Sequence, residues 1–178
     1  PSLERLDYYD NCKTLFVNED MVDEYKKVDG WKWLKILPIS DNNLIFKKGW
    51  NWATFSFIAP ETCDLTLFSN AAEDVKVIEN QTKSIIKDPV IGWAGNMDFQ
   101  PEECYRIYSE DDLKKSLYGA NFNYEGKEII IKKGWNWLPY YPAIPLLVSE
   151  AIDEWYQIKS GVIILGQDEF AIYEYPTW

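Results

Sequence analysis

Alternation of apolar and polar residues predicts short β-strands along most of the chain. Residues 51–58 alternate and are rich in aromatic side chains, which predicts a strand that Pro60 ends. Comparable runs predict strands at residues 75–78, 84–87, 105–108, 128–132, 162–165 and 170–173. Residues 65–73 and 145–155 have helical spacing instead, and each predicts one short helix. Because a parallel α/β sheet needs a helix after nearly every strand, the pattern predicts a mainly β fold.

The hexapeptide KKGWNW occurs twice. It occupies residues 47–52 and 132–137, called here the first and second KKGWNW segments. Further positions match at similar offsets: Ser69 with Ser149, Gln81 with Gln167, Trp93 with Trp178, and Cys12 with Cys104. The offset changes between these motifs and not within them, as expected for repeats whose connecting loops differ in length. The 178 residues therefore divide into two copies of a unit of about 89 residues.

The two copies are permuted, because the chain begins and ends inside a unit. Residues 1–44 match the second half of one unit, residues 45–131 form a complete unit, and residues 132–178 match the first half of another. We expect residues 132–178 to close on residues 1–44, with residues 3–16 completing the unit, in a pseudo-two-fold arrangement. A slice of a longer open array is the alternative. The expected fold is thus mainly β, with one short helix per repeat.

The order of the motifs resembles a known repeated module. After GWNW come a serine-led short helix, a V-I-x-x-Q strand, the sequence GWAGN at residues 92–96, and a Y-x-I strand that leads back to KKGWNW. This order is similar to that of a tandem GWNW-type repeat module in large secreted and cell-surface proteins of Bacteroidetes and related anaerobes. The resemblance implies an extracellular or cell-surface location, neighbouring domains in a larger chain, and a non-catalytic accessory role.

Composition and charge exclude several classes of function. The 18 Lys and Arg against 29 Asp and Glu give a formal net charge of -11, which phosphate backbones would repel, so nucleic acid is not an expected partner. Histidine is absent, which excludes Ser-His-Asp, Cys-His and histidine-based metal sites. Three scattered cysteines are too few for a disulfide framework or a four-thiolate zinc site. No apolar run approaches the roughly 20 residues of a membrane span, so membrane insertion is not expected.

Two acidic clusters, at residues 18–24 and 110–112, raise the question of metal binding or hydrolysis. Calcium prefers such oxygen-rich clusters, but neither has the spacing of a calcium-binding loop, and a solvated surface or a helix N-terminus is the better interpretation. Paired carboxylates of a glycoside hydrolase need no sequence signature, so a carboxylate-based hydrolase is the third and least favoured alternative. We predict no metal ion, no cofactor, no catalytic residue and no enzymatic activity.

The nine tryptophans supply the candidate binding residues. In a strand, the two indoles of each KKGWNW segment project from one face, either as a platform for a sugar ring or, as we favour, as core packing that every unit needs. Four others lie in loops or in one unit alone, and these are the predicted ligand-binding residues: Trp93, Trp178, Trp31 and Trp33. They predict a binding or adhesion module for a polysaccharide or a surface protein. The alternative is a structural spacer or assembly module without a ligand, which would expose no indole cluster.

Overall fold

The computed structural model describes residues 14–31, 34–58, 73–142, 145–152 and 159–174. The strands in these residues are β1 (Thr14–Val17), β2 (Lys35–Pro38), β3 (Ser40–Phe46), β4 (Gly49–Thr54), β5 (Phe57–Ile58), β6 (Val75–Glu79), β7 (Ser84–Asp88), β8 (Gly92–Ala94), β9 (Cys104–Ser109), β10 (Leu113–Asn121), β11 (Ile163–Leu165) and β12 (Phe170–Ile172). The helices are a 3-10 turn (Glu19–Met21), α1 (Val22–Lys26) and α2 (Val148–Ala151). The prediction of a mainly β fold is confirmed. The chain divides into two compact units, Pro1–Pro139 and Tyr140–Trp178. These are called the first and second unit from here on, and their bounds differ from those of the predicted repeats.

The largest sheet lies in the first unit and is antiparallel, with the strand order β4-β9-β6-β7-β8. Because successive side chains of a strand point to opposite sides, the sheet has two different faces. Its inner face carries most of the hydrophobic core, which consists of Phe46, Phe55, Phe57, Val75, Ile78, Ile85, Met97, Tyr105 and Ile107. The other side, called here the outer face, carries the side chains that alternate with these.

Two smaller sheets complete the first unit. Strand β10 lies between β3 and β5 and is antiparallel to both. Strands β1 and β2 are parallel, so they need a crossover connection, and this connection contains the 3-10 turn and α1. Acidic residues occupy the first turns of these helices, as the helix dipole favours: Glu19, Asp20, Asp23 and Glu24. The acidic cluster at residues 18–24 is therefore at a helix N-terminus, as interpreted from the sequence.

The second unit contains α2 and a hairpin of β11 and β12, and this hairpin has the same register as β6–β7 in the first unit. The corresponding pairs are Val77 with Ile86 and Ile163 with Ile172, and the two following pairs of each hairpin correspond as well. A four-residue connection closes each hairpin, and its first N–H donates to its fourth carbonyl, over 2.9 Å in residues 80–83 and 2.8 Å in residues 166–169. Gln81 and Gln167 therefore occupy the same position, second in the connection.

Three predicted elements differ from the structure. Residues 51–58 form two strands, since β4 pairs with β9 whereas β5 pairs with β10 in another sheet. The predicted strand at residues 128–132 is wrong, since these residues belong to no strand. The helix predicted at residues 145–155 is described only from Val148 to Ala151. The helix predicted at 65–73, and residues 3–13 of the predicted closing segment, lie outside the described residues.

Candidate functional site

The two KKGWNW segments have the same internal hydrogen bonds. Asn51 Nδ2 donates to the carbonyls of Lys47 at 2.7 Å and Gly49 at 3.0 Å, and its Oδ1 accepts the Lys47 N–H at 2.7 Å. Asn136 makes the corresponding bonds in the second segment at 2.8, 3.0 and 2.9 Å. The glycine φ is +99° at Gly49 and +102° at Gly134, a left-handed region that favours glycine. The spacing of lysine, glycine and asparagine is therefore explained by a loop that the asparagine amide closes.

The surroundings of the two segments differ. The first segment continues into β4, where Asn51 is only 5% exposed and its Nδ2 also lies 3.4 Å from the Ile107 carbonyl. The second segment belongs to no strand in the described part of the chain, and Asn136 is half-buried. One sequence thus forms the same loop around a buried and around a half-buried asparagine.

A carboxylate of the turn between β9 and β10 anchors the first segment. Asp112 accepts the Lys48 N–H at 2.9 Å and Lys47 Nζ at 3.0 Å. The hydrogen bond from the Lys48 N–H, followed by the bond from the Lys47 ammonium, lowers the pKa of Asp112. The acidic cluster at residues 110–112 therefore has a structural role here.

This anchor predicts a pH-dependent effect of the substitution Asp112→Asn. Folding lowers the pKa of Asp112, so its carboxylate stabilises the fold fully when the pH lies well above the unfolded pKa of about 3.9. This stabilisation is lost as the pH falls below that pKa. We expect a slightly lower Tm for Asp112→Asn at pH 7 and a shrinking difference from wild type towards pH 2, measured by circular dichroism. The exposed Asp168→Asn is the control and should match wild type throughout. A difference that stays constant from pH 7 to pH 2 would contradict the assignment.

The outer face of the five-stranded sheet carries aromatic side chains around Arg106. The Arg106 guanidinium stacks over Trp50, with Cζ 4.6 Å from the ring centroid, and lies 5.9 Å from the centroid of Trp137. Tyr108 meets Trp50 edge to face, with centroids 5.4 Å apart. Glu79 Oε2 lies 3.8 Å from Arg106 Nη1, which balances the charge of this face. A positively charged, planar group is thus held between indoles of both KKGWNW segments.

Three of the four indoles of the KKGWNW segments are exposed over more than a third of their surface. The exposed fractions are 38% for Trp50, 42% for Trp52 and 68% for Trp135. The interpretation of these three indoles as core packing is therefore wrong. Side chains alternate along β4, so Asn51 lies on the inner side when Trp50 and Trp52 are exposed. Asn51 can be buried there because its side chain is hydrogen-bonded.

The structure describes two of the four predicted ligand-binding tryptophans, Trp93 and Trp31. Trp93 lies in β8, packs half-buried against the inner core, and has a buried Nε1 that makes no hydrogen bond within the described residues. Trp31 stacks on Tyr25, with centroids 4.5 Å apart and planes 27° apart. Trp33 and Trp178 lie outside the described residues. Their roles in binding stay predictions.

A second feature is a groove of about 310 Å³ between the β6–β7 turn and the second KKGWNW segment. Gln81 spans it: its Nε2 donates to the Trp135 carbonyl at 2.9 Å, and its Oε1 accepts the Trp137 N–H at 2.9 Å. Asn80 stiffens the turn, since its Oδ1 accepts the N–H groups of Thr82 and Lys83 at 2.9 and 2.7 Å. A rigid turn thus presents a glutamine amide to the main chain of an extended segment.

The titratable groups of this groove have structural partners. Glu102 pairs with Lys127 at 3.3 Å, and Glu103 accepts hydrogen bonds from Asn80 Nδ2 at 2.7 Å and the Tyr105 hydroxyl at 3.0 Å. Burial raises the pKa of the Tyr105 hydroxyl and of the half-buried Cys104 thiol, so both stay protonated at neutral pH. These contacts hold the start of β9 to the turn, and none of them activates a nucleophile.

The described residues hold neither a cluster of metal ligands nor a membrane-spanning helix. No three Cys, Asp or Glu side chains there are grouped as metal ligands would be. None of the helices described combines the length and the apolar character of a membrane span. Comparisons with known protein families, with curated proteins and with solved structures found no match to this chain.

Proposed function

We propose that this chain is a non-catalytic binding or adhesion module of an extracellular or cell-surface protein, and that it binds a glycan on the outer face of its five-stranded sheet. The observation that carries this proposal is the pair of exposed indoles on β4, Trp50 and Trp52, beside Arg106. Side chains two residues apart in a strand share a face, so the two indoles form one surface. Flat, amphipathic indoles stack on the apolar faces of sugar rings.

The charges of the outer face favour a neutral glycan. Arg106 is the cation of this surface, and Glu79 lies close enough to balance it. The whole chain has a formal net charge of -11, which opposes the approach of a polyanion. The Arg106 guanidinium still carries several N–H donors for sugar hydroxyls.

The test is intrinsic tryptophan fluorescence, titrated with neutral plant polysaccharides, mucin glycans and bacterial glycans. We expect one class to shift the emission, and Trp50→Ala to weaken that binding by about tenfold or more, as loss of a central aromatic contact does. Trp31→Ala is the matched control, since Trp31 lies outside β4 and stacks on Tyr25 of α1. A flat response across the panel would overturn glycan binding, whereas a loss confined to Trp31→Ala or Trp93→Ala would move the site to that tryptophan.

A second candidate function is a structural or assembly module. The observation that favours it is the contact of the second KKGWNW segment with the five-stranded sheet, through Gln81 of the β6–β7 turn and through Trp137 on Arg106. In this proposal the two halves of the chain are permuted copies of one unit that close with pseudo-two-fold symmetry. The equal hydrogen bonds of the two segments and the equal register of the two hairpins support it. Here the motif serves to join units, and no glycan should change the fluorescence.

A further inference from the structure

We infer that residues 128–132, called here the isoleucine stretch, pair with the same residues of a second copy of this chain as an antiparallel two-stranded ribbon. In this arrangement Ile130 lies opposite Ile130 of the second copy, and Glu128 lies opposite Lys132 of the second copy. The interface is therefore isologous and closes as a dimer. This inference goes beyond glycan binding and does not rest on it.

The main chain of the isoleucine stretch has no partner among the described residues. Residues 127–132 contain no helix, turn or bend, whereas a turn at residues 125–126 and a bend at residues 133–134 bound them. Within the described part of the chain, residues 128–131 make no main-chain hydrogen bond. Their β-branched side chains favour a strand. Such a stretch is an open edge to which another strand can add.

The side chains of the stretch are exposed as well. The exposed fractions are 45% for Ile129, 79% for Ile130 and 58% for Ile131. The three residues that precede the first KKGWNW segment, 44–46, belong to β3 and pair with residues 113–115 of β10. Before the second segment, no described strand takes the place of β10. A run of exposed isoleucines thus lies where the first segment has an antiparallel partner.

The charges of the stretch favour a second copy as this partner. Glu128 and Lys132 are exposed, and neither side chain pairs with a described residue. In an antiparallel pair centred on Ile130, each Glu128 faces a Lys132, so ion pairs flank the isoleucines on both sides. A parallel pair in register would place like charges opposite each other, which is destabilising. The stretch is therefore complementary to itself in the antiparallel direction.

The hydrogen bonds of Lys132 indicate which edge of the stretch is open. Its N–H donates to Asn136 Oδ1 at 2.9 Å, and its carbonyl accepts from Asn136 Nδ2 at 2.8 Å. Successive residues of an extended chain direct their amides to opposite edges. Asn136 therefore occupies the edge that Lys132 shares with Ile130. The amides of Ile129 and Ile131 are directed to the other edge, where Ile129 of one copy bonds to Ile131 of the second copy.

The small size of the ribbon makes the dimer weak. Five residues from each copy bury much less than the roughly 1,200 Å² of a stable complex. We expect a dissociation constant of about 0.1–1 mM. At low micromolar concentrations the chain is then a monomer.

Sedimentation equilibrium of the full chain, from about 10 μM to a few mM, tests the inference. We expect the average mass of the wild type to rise with concentration towards that of a dimer. Glu128→Lys and Lys132→Glu each place like charges opposite one another and should weaken the dimer by about tenfold or more. An equimolar mixture of these two variants should associate again, because every 128–132 pair of the mixed dimer joins opposite charges.

The matched control is Glu73→Lys, an equal change of charge at an exposed residue outside the stretch, which should associate like the wild type. A wild type that stays monomeric over the whole concentration range would overturn the inference. So would a dimer that neither charge variant weakens, or a mixture that associates no better than each variant alone. Assembly beyond the dimer would contradict a closed, isologous pair.

Discussion

Replacing Phe55 by alanine is expected to lower the free energy of unfolding by about 3–5 kcal/mol. Phe55 is buried between β4 and β5, where the chain passes from one sheet to the other. Its ring centroid lies 5.8 Å from that of Phe57, 5.4 Å from that of Phe99 and 5.3 Å from that of Tyr105. The substitution therefore removes several aromatic contacts at once and leaves a cavity in the inner core.

Urea denaturation followed by circular dichroism measures this loss. The control is Ile130→Ala, in the same unit and at an exposed position, which should change the free energy of unfolding by less than about 0.5 kcal/mol. Equal losses for the two variants would contradict the assignment of the inner core as the main source of stability of the first unit.

Replacing Asn51 by alanine is expected to cost about 2–3 kcal/mol, although the residue is polar. The substitution leaves the Lys47 N–H and the carbonyls of Lys47 and Gly49 without the amide that binds them. Because Asn51 is buried, water reaches these groups poorly and the cost of desolvating them is retained.

The matched control is Asn136→Ala, which removes the same three hydrogen bonds from the same hexapeptide. Asn136 is only half-buried, so water can replace the amide, and the expected cost is about 1 kcal/mol or less. Urea denaturation of both variants measures the difference. A cost for Asn136→Ala that equals that of Asn51→Ala would show that burial does not govern the strength of this loop.

Local sequence signals, namely apolar runs bounded by turn residues, were sufficient to predict several strands. Strands β6, β7, β9, β11 and β12 were predicted to within about two residues at each end. They are rich in β-branched and aromatic residues, and turn residues such as Asp88, Pro89 and Gly92 punctuate the chain between them. These signals lie within a few residues of each other, so they act before any long-range pairing.

Strands β3 and β10 were not predicted, because pairing between distant residues decides them. Ser40–Phe46 contains Asp and Asn, which are depleted in strands, and Leu113–Asn121 contains two lysines and a glycine. Each is a strand because it pairs with the other over seven residue pairs. Residues 128–132 have better strand propensity, yet they pair with no described strand.

The candidate site was predicted in part. The spacing of Trp50 and Trp52 predicts that their indoles share a face, but a period of two residues does not say whether that face is the core or the surface. The burial of Asn51 decides it, and that burial depends on hydrogen bonds within the loop. The position of Arg106 beside Trp50 depends on the register of β4 and β9, for which the sequence has no local signal.

The asparagine loop of KKGWNW forms independently of the structure that surrounds it. All three of its hydrogen bonds join residues within the hexapeptide, so the loop forms in β4 and also where no described strand continues it. A loop that needs no particular neighbour can be duplicated, moved or transplanted as a unit. The flanking strands, whose stability depends on their partners, have no such freedom, and the identity of the two segments ends at the hexapeptide.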